Sequence, residues 1–267
     1  KMKEITLNTN DNITVVLDLL NQYANTITLH PNFIYRGQSN ESWGLVPSLT
    51  RIALQRGLSR TETIQLEREC VNKFILHAKD LLPIQQTLPI VNGMNYDLLP
   101  WLITMQHYSA PTRKLDWTTS PLLALYFCCS SLSENDGAVW IANFSEVMAY
   151  NEQLLHPSTL NDFNKLVDKP TSPNAVVLTS AVVGNERIAA QQGRFSVCLN
   201  PLEDHKDYMD PNDSMTKIIV PSQIKRHIME ELYKMNISSR TLFPGIDGLG
   251  RSMNEYCNLW DRTSIIT

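Results

Sequence analysis

The spacing of apolar residues predicts amphipathic helices in the first half of the chain. Residues 13–23 carry apolar side chains at helical period. A longer helix is expected after Ser59, because Ser59 and Glu62 have the spacing of a capping box and apolar residues then recur every three or four positions. Pro83 and Pro89 should end this helix, since proline interrupts helical hydrogen bonding.

A further helix is expected at residues 97–108, and the most apolar helix of the chain comes after it. Ser120 suits the N-cap of that helix, and Pro121 suits its first position, where the missing N–H costs nothing. Residues 122–129 are apolar on every side. This helix should therefore be buried all round, in the centre of the fold.

Short runs of β-branched and aromatic residues predict five strands. They occupy residues 32–38, 137–144, 174–180, 193–199 and 216–221. The central helix should pack against the strands at 137–144 and 193–199. Residues 43–51 are expected to be extended and rich in turns, and an amphipathic helix is predicted at residues 223–235.

Together these elements predict an α+β fold with a mixed, mostly antiparallel sheet core, a buried central helix and flanking helices. The length of 267 residues fits one large domain, residues 1–267. Its first part, about residues 1–30, is predicted as a helical extension. Polar stretches near 151–173 and 201–214 resemble loop insertions.

Composition fits a folded chain, with 43% hydrophobic and 19% charged residues. The formal charge of −4 does not favour nonspecific nucleic-acid binding, so no nucleic-acid partner is expected. The net charge does not exclude a local basic cleft. The N-terminal segment lacks signal-peptide features, and no apolar run reaches the roughly 18 residues of a membrane span. We therefore expect a cytoplasmic protein without membrane association.

The five cysteines are scattered, and none has the Cys-x-x-Cys or Cys/His spacing of a zinc site. We expect them to be reduced, and we expect no metal. Paired carboxylates with metal spacing are also missing from the sequence, which argues against a nuclease.

A crowded polar segment precedes the central helix, in the stretch QHYSAPTRKLDWTTSPLLALYFCC at residues 106–129. Its polar groups either bind a ligand or satisfy one another. Arg36, at the end of a predicted strand and next to Gly37, has the same two explanations. Its guanidinium could hold a phosphate or carboxylate with two hydrogen bonds, or it could form a buried salt bridge with Asp116.

The other polar groups also have a structural and a functional interpretation. Hydroxyls at residues 118–120 are typical of a helix cap, yet a helix N-terminus also binds anions. Trp117 could stack on a base or belong to the core, and His107 could be a structural histidine or a general base. Gln191 and Gln192 can orient a substrate, but an amide cannot act as a general base at neutral pH.

Three stretches together resemble the FRG domain family: FIYRGQSNESWGLVPSLTR, QHYSAPTRKLDWTTSPLLALYF and RIAAQQGRFSV. With a similar C-terminal tail, the resemblance covers about residues 33–253 and implies a single FRG-type domain. The middle stretch is the most specific, because it fixes many residue types in one order. The family is named after the arginine-glycine pair seen here as Arg36-Gly37. Its members are bacterial and phage proteins, some of them associated with defence.

The chain departs from the family at two positions of the middle stretch. Ser109 stands where the family usually has glycine, so a turn must form without glycine's conformational freedom. Lys114 stands where the family often has leucine. Neither touches the polar core of the motif, in which we expect Arg113 and Asp116 to brace the site while Arg36 faces the ligand.

The order of these groups is also similar to the layout of ADP-ribosyltransferases of the Arg–Ser–Glu type. In such enzymes an arginine holds NAD, a serine-threonine-serine run organises the pocket, and a glutamate stabilises an oxocarbenium-like transition state. The layout implies Arg36, Ser120 and Gln192 as catalytic positions and NAD as the candidate cofactor. The implied ligand-binding residues are Gly37, Gln38, His107, Thr112, Arg113, Asp116, Trp117, Thr118 and Gln191.

Glutamine at the third position has no negative charge, so it would stabilise a developing cation only weakly. Either another acid, Glu186 or Asp116, supplies that charge, or the protein binds a small anionic or nucleotide-like ligand without turning it over. The second hypothesis is a ligand- or partner-sensing module whose insertion loops contact a protein partner. Turnover of NAD would favour the enzyme, and saturable binding without turnover would favour the module.

Overall fold

The computed structural model describes residues 2–24, 32–78, 81, 98–132, 134–155, 163–180 and 186–260. Within these residues it contains one seven-stranded mixed sheet and twelve α-helices. Among the described strands, pairing is antiparallel except between the first and the last, which are parallel. The predicted α+β class with a mostly antiparallel sheet is therefore confirmed.

The sheet has the strand order β1-β7-β4-β2-β3-β6-β5. The strands are β1 (Lys3–Thr6), β2 (Phe33–Gln38), β3 (Lys114–Thr118), β4 (Gly137–Asn143), β5 (Val176–Ser180), β6 (Gly193–Cys198) and β7 (Thr216–Val220). All five predicted strands are present. β1 and β3 were not predicted, and β3 runs through the middle of the polar segment that precedes the central helix.

The helices surround this sheet. They are α1 (Ile13–Asn21), α2 (Ser48–Gln55), α3 (Arg60–Ala78), α4 (Leu98–His107), α5 (Pro121–Cys129), α6 (Phe144–Leu155), α7 (Phe163–Val167), α8 (Glu186–Ala190), α9 (Lys206–Met209), α10 (Ser222–Lys234), α11 (Ser239–Leu242) and α12 (Ile246–Leu259). The helices predicted from sequence correspond to α1, α3, α4, α5 and α10. The expected stops at Pro83 and Pro89 lie outside the described residues.

The capping box predicted for α3 is present. The Ser59 backbone N–H and hydroxyl both donate to Glu62 Oε2, at 2.8 and 2.6 Å, and the Glu62 N–H donates to the Ser59 hydroxyl. Residues 43–51, by contrast, are not extended throughout. Helix α2 begins at Ser48, directly after its N-cap residue Pro47, whose backbone is extended.

Helix α5 forms the centre of the fold, as its all-apolar sequence predicts. The Ser120 hydroxyl accepts from the Leu123 N–H at 3.4 Å, and Leu125 is 1% exposed. The helix packs mainly against β2 and α10, with β4 and β3 beside them. The expected contact with 137–144 is present, but the main neighbouring strand is β2 rather than β6 (193–199), because β2 lies centrally in the sheet and β6 lies beyond β3.

Gly37 allows the close approach of β2 and α5. A Cβ atom at this position would lie 1.9 Å from the Ala124 carbonyl oxygen and 2.6 Å from the Cys128 backbone nitrogen. Only glycine fits such a contact without moving the helix. The backbone that approaches Gly37 is therefore that of the central helix.

Two apolar clusters lie on opposite faces of the sheet. One joins α5, α10 and α1 to side chains such as Tyr35 and Ile141. The other contains Trp117 and Trp140 and is covered by residues of α6 and α9, including Val147. Both faces of the central strands are thus buried, which explains why nearly all of β4 is buried.

The N-terminal part of the chain begins with a strand. β1 pairs in parallel with β7, so this segment contributes an edge strand to the sheet before α1 begins. The polar stretches expected as loop insertions also contain secondary structure. The first includes the end of α6 and all of α7, and the second includes α9 and a 3-10 turn at Pro211–Asp213.

Helix α12 packs its small and polar side against the fold. Its buried residues are Gly248, Ser252 and Glu255, whereas Ile246, Met253 and Tyr256 are exposed. Glu255 accepts hydrogen bonds from the Ser239 N–H and hydroxyl and from the Tyr126 hydroxyl. None of the described helices has both the length and the apolar character that crossing a membrane requires.

Candidate functional site

A cleft opens where the two central strands β2 and β3 diverge. Their register consists of the single pair Tyr35–Thr118, and beyond it the strands no longer bond to each other. A cavity of about 770 Å³ lies at this point, with a volume typical of small-molecule sites. Its walls also include the loop after β2, α2, the end of α4, α8 and β6. We call this cavity the β2–β3 cleft.

The charged side chains of the β2–β3 cleft are mostly cationic. Arg36, Arg51, Lys114 and Arg187 line it, and Asp116 is the single carboxylate among its lining residues that the structure describes. The whole chain carries a formal charge of −4, so the cleft has the opposite sign to the molecule. Four cations around one cavity favour an anionic ligand.

The Arg36 side chain reaches from β2 to β3. Its Nη1 donates to the backbone carbonyl of Asp116 at 2.7 Å, and its buried Nε has no hydrogen-bond partner within the described residues. Desolvation lowers the pKa of Arg36, although the nearby Asp116 charge opposes that shift. Arg36 therefore reaches Asp116 through the main chain, and its guanidinium keeps donor capacity toward the cleft.

Asp116 is held by two side chains of the cleft. Lys114 Nζ lies 2.5 Å from Asp116 Oδ1, and Gln106 Nε2 donates to Asp116 Oδ2. Thr112 in turn donates its hydroxyl to Gln106 Oε1 at 2.5 Å, so it positions the amide without lining the cavity. Desolvation would raise the pKa of Asp116, but the Lys114 charge and hydrogen bond outweigh it, and the pKa lies below its usual value.

The Lys114 side chain lies inside the fold, against Phe195. Its ammonium lies 3.8 Å from the centre of the Phe195 ring, a cation–π contact, and its side chain is 2% exposed. Desolvation lowers the pKa of Lys114, and Asp116 opposes this effect. The lysine is thus a buried cation whose partner, Asp116, remains 52% exposed at the cleft.

The hydroxyls before α5 make structural contacts. Thr118 donates its hydroxyl to the Gln191 carbonyl at 2.8 Å and accepts from the Ser120 N–H. Thr119 donates to Gln192 Oε1 at 3.1 Å. These bonds connect the residues before α5 to the turn between α8 and β6. Ser120 is the N-cap of α5.

Trp117 belongs to the core. It is 3% exposed, and its indole N–H donates to the Ser196 hydroxyl at 2.8 Å.

His107 is half-buried, and its backbone carbonyl accepts from Arg187 at 3.3 Å. Desolvation, followed by the charge of Arg187, lowers the pKa of His107, so the imidazole is neutral at neutral pH.

Arg113 lies away from the cleft, inside the fold. Its Nε donates to Glu67 Oε2 at 2.8 Å, and its Nη1 donates to the carbonyl of Leu199 at 3.1 Å. Both partners of the Arg113–Glu67 ion pair are almost fully buried, with 0% and 3% side-chain exposure. Arg113 therefore braces α3 against the start of β3.

The family model for the FRG domain matches residues 31–137. The chain contains an FRG domain. The match begins just before β2 and ends at the first residue of β4, so it includes Arg36, Asp116 and the whole of α5. Comparison with the curated proteins and with solved structures gives no match. Arg187 and Phe195, which complete the cleft, lie outside the matched part of the chain.

Most of the residues singled out from sequence line the cleft of the FRG domain protein. They are Arg36, Gly37, Gln38, His107, Asp116, Trp117, Thr118 and Gln191. Thr112, Arg113, Ser120 and Gln192 do not line it. Gln192 is exposed at a turn with a positive φ of 48°, and Glu186, the other acid considered, is exposed at the start of α8.

Several residues that line the cleft were not singled out as ligand contacts. Arg51 and Trp43 belong to the first stretch that resembles the FRG family, and Lys114 appeared only as a departure from that family. Arg187 begins the third of these stretches but was not singled out within it. Among the described residues no group of three or more histidine, cysteine or acidic side chains is arranged to hold a metal.

Proposed function

We propose that the β2–β3 cleft binds a small nucleotide-like anion whose phosphate groups contact the cationic side chains. The observation that carries this proposal is the convergence of Arg36, Arg51, Lys114 and Arg187 on one cavity. Asp116 neutralises only one of these charges. An anion with two phosphates would suit a cavity of about 770 Å³ that has cations on several walls.

Arg36 is the central phosphate ligand in this proposal. One of its nitrogens is fixed on the Asp116 carbonyl, which orients the planar guanidinium, and its Nε has no partner in the described part of the chain. A phosphate could accept from the remaining donors in the forked geometry that arginine offers. Binding would also return hydrogen bonds to a guanidinium that desolvation disfavours.

NAD is the candidate ligand if the protein is an enzyme. In an ADP-ribosyltransferase- or NADase-like reaction, the bond between the nicotinamide nitrogen and the ribose carbon breaks, nicotinamide leaves, and water or an acceptor adds to that carbon. Asp116, ionised because its pKa is lowered, would stabilise the cationic transition state in place of the uncharged Gln192. A role in bacterial or phage defence follows only from the family resemblance.

The alternative is a sensing module that binds the same ligand without turnover. This alternative gains support from Ser120 and Gln192, because neither lines the cleft and both are engaged in holding the start of α5. In such a module the contact with a protein partner would change on binding. Binding by the cleft is common to both alternatives.

Calorimetric titration with NAD, ADP-ribose and ADP tests the binding proposal. We expect saturable binding, weakened roughly five- to a hundred-fold in Arg36→Lys, because lysine keeps the charge but loses the fork. Arg56→Lys, at an exposed arginine just after α2, is the matched control and should bind as the parent does. The proposal is rejected if none of the three ligands binds the parent protein.

Release of nicotinamide from NAD separates the two alternatives. An enzyme should release nicotinamide, and Asp116→Asn should abolish release while leaving NAD bound, since asparagine cannot stabilise a developing positive charge. Binding of NAD by the parent protein without any release over hours would assign the cleft to a sensing module.

A further inference from the structure

The mouth of the β2–β3 cleft carries a large exposed aromatic side chain. Trp43 lines the cavity and is 54% exposed. Within the described residues its indole makes neither a hydrogen bond nor a ring contact with another side chain. Tryptophan is highly buried on average, so packing alone does not account for an exposed indole beside cationic walls.

The loop that carries Trp43 is held in place from several sides. The Ser42 N–H and hydroxyl donate to Asn40 Oδ1, and the Glu41 N–H donates to the Asp136 carbonyl at 2.7 Å. Lys217 forms an ion pair with Glu41 at 2.9 Å. Because this loop is anchored to β7 and to the segment before β4, the indole is presented without a large entropic cost on binding.

The end of β2 fixes the other side of the same loop. Gln38 donates its amide N–H to the Gly44 carbonyl at 3.1 Å and accepts from the Trp140 indole at 2.7 Å. Gly44 lies beside the Asp204 carboxylate, whose Oδ2 would be 2.4 Å from a Cβ atom at this position. Trp43 is therefore an exposed side chain on a rigid support, which is the arrangement expected of a binding platform.

We propose that Trp43 stacks on a planar aromatic ring of the ligand, so that the cleft takes a nucleotide rather than a simple phosphate. This inference rests on the proposed function and deepens it. The cations would bind the phosphates. The indole would recognise the heterocycle, which the cations do not recognise. Trp117, the other tryptophan of the site, is enclosed in the core and cannot take this part.

The ring could be the nucleobase of an adenine nucleotide or a nicotinamide. Both offer a π-face, and stacking on tryptophan tolerates differences between heterocycles. ADP and nicotinamide mononucleotide distinguish the two, because each carries only one of these rings. Inorganic pyrophosphate has the phosphate charges and no ring, so it reports on the cationic walls alone.

The test compares the affinities of ADP, nicotinamide mononucleotide and pyrophosphate for the parent, Trp43→Ala and Trp43→Phe. In Trp43→Ala we expect affinity for at least one nucleotide to fall roughly five- to a hundred-fold, while that for pyrophosphate changes less than about two-fold. Trp43→Phe should recover much of the loss. Trp260→Ala, at a tryptophan that is 42% exposed and does not line the cleft, is the matched control.

The outcomes separate this inference from the proposed function. If pyrophosphate binds and no nucleotide loses affinity in Trp43→Ala, stacking is overturned while the anion cleft stands. If neither pyrophosphate nor a nucleotide binds the parent, both proposals fall. Thermal melting of each variant should match the parent within a few degrees, because Trp43 contributes little to the core.

Discussion

The ion pair between Arg113 and Glu67 lies in the interior of the molecule, where neither charge is hydrated. The Arg113 Nη2–Glu67 Oε2 distance is 2.5 Å, and the carbonyls of Val167 and Leu199 also accept from the arginine. Removing one charge of such a pair leaves the other buried without compensation. The stability of the fold should therefore be highly sensitive to Glu67.

We expect Glu67→Gln to lower the free energy of unfolding by about 3–5 kcal/mol. Urea denaturation followed by circular dichroism measures this change. Glu69→Gln, at an exposed position on the same helix, should change stability by less than about 0.5 kcal/mol. Equal effects at the two positions would show that the Arg113 charge is compensated elsewhere.

Ser109 has a backbone conformation that favours glycine. Its φ is 65°, in the left-handed region, as expected where the family usually has glycine. A serine backbone in this region costs about 1–2 kcal/mol. Glycine removes this cost but gives the unfolded chain more conformational entropy, which offsets part of the gain in stability. We expect Ser109→Gly to raise the free energy of unfolding by up to about 1 kcal/mol.

Thermal denaturation measures the effect of Ser109→Gly. Ser109→Ala is the matched control, because it removes the hydroxyl but keeps a Cβ atom at the positive φ, and it should not stabilise the protein. A gain in both variants would assign the effect to the hydroxyl rather than to the backbone.

Two of the five charged residues that line the cleft were singled out from the sequence as site residues. Arg36 and Asp116 were recognised because each lies in a motif with its own chemistry. Arg51 and Arg187 were not, since their convergence depends on how α2 and α8 lie against the sheet. Such convergence is a tertiary property that no local pattern contains. Arg113 was expected to brace the site, and the layout also implied it as a ligand contact. Its ion pair with Glu67 could not be predicted from the sequence, because Glu67 lies on α3, 46 residues earlier.

At the scale of elements, the contact between β2 and α5 depends on the missing side chain of Gly37. An alanine Cβ atom would meet backbone atoms of Ala124 and Cys128, which cannot move aside as a flexible side chain would. The central helix would have to shift away from the strand that carries Arg36. The substitution should weaken the packing of α5 against β2 and distort the cleft.

We expect Gly37→Ala to lower the free energy of unfolding by about 3 kcal/mol, at the upper end for overpacking. Chemical denaturation gives the value. Gly250→Ala is the control, since a Cβ atom there meets nothing within 4 Å and alanine favours the helix α12 by up to about 1 kcal/mol. Tolerance of Gly37→Ala would mean that β2 and α5 can separate without loss.

Elements with clear periodicity were predicted, and those with mixed signals were not. β3 was missed because Lys114 and Asp116 alternate with apolar residues over only five positions, inside a motif that suggested a loop. α12 was missed because it buries Gly248 and Ser252 rather than its apolar residues. The close contact of Gly248 with the Phe243 carbonyl determines which side of this helix faces the fold.

At the scale of the whole molecule, the charges are separated. A net charge of −4 belongs to the chain as a whole, while the cleft carries four cations around one carboxylate. The net negative charge weakly repels an anion at long range, and the cationic lining of the cleft attracts it at short range. Salt screens both the repulsion by the net charge and the attraction by the cleft. The association rate constant of an anionic ligand should therefore depend on salt concentration less simply than it does for a protein whose charges all have one sign.

Acid should unfold the protein partly through His205. This histidine is completely buried, with Nδ1 2.9 Å from the Ser196 hydroxyl and Nε2 3.2 Å from the Arg113 carbonyl. Burial lowers its pKa to about 3. The neutral ring therefore stabilises the fold fully above pH 6.5, and this contribution is lost as the pH falls from 6.5 toward 3.

We expect the free energy of unfolding to fall by about 2 kcal/mol between pH 6.5 and pH 5, at about 1.4 kcal/mol per pH unit for one such histidine. Denaturant titrations at several pH values measure the slope. His205→Gln should be less stable at pH 7 but less dependent on pH, and His227→Gln, at an exposed site, should keep the parent slope. An unchanged slope in His205→Gln would contradict this assignment.

The parallel pairing of β1 with β7 has a consequence for biosynthesis. Lys3 pairs with Thr216, so β1 leaves the ribosome well before the strand with which it pairs. At about 5–20 residues per second this interval lasts roughly ten to forty seconds. During it β1 is an unpaired strand, and its sequence KEIT is polar and charged enough to discourage pairing with other chains. The same residues that make a safe sheet edge also protect the nascent polypeptide.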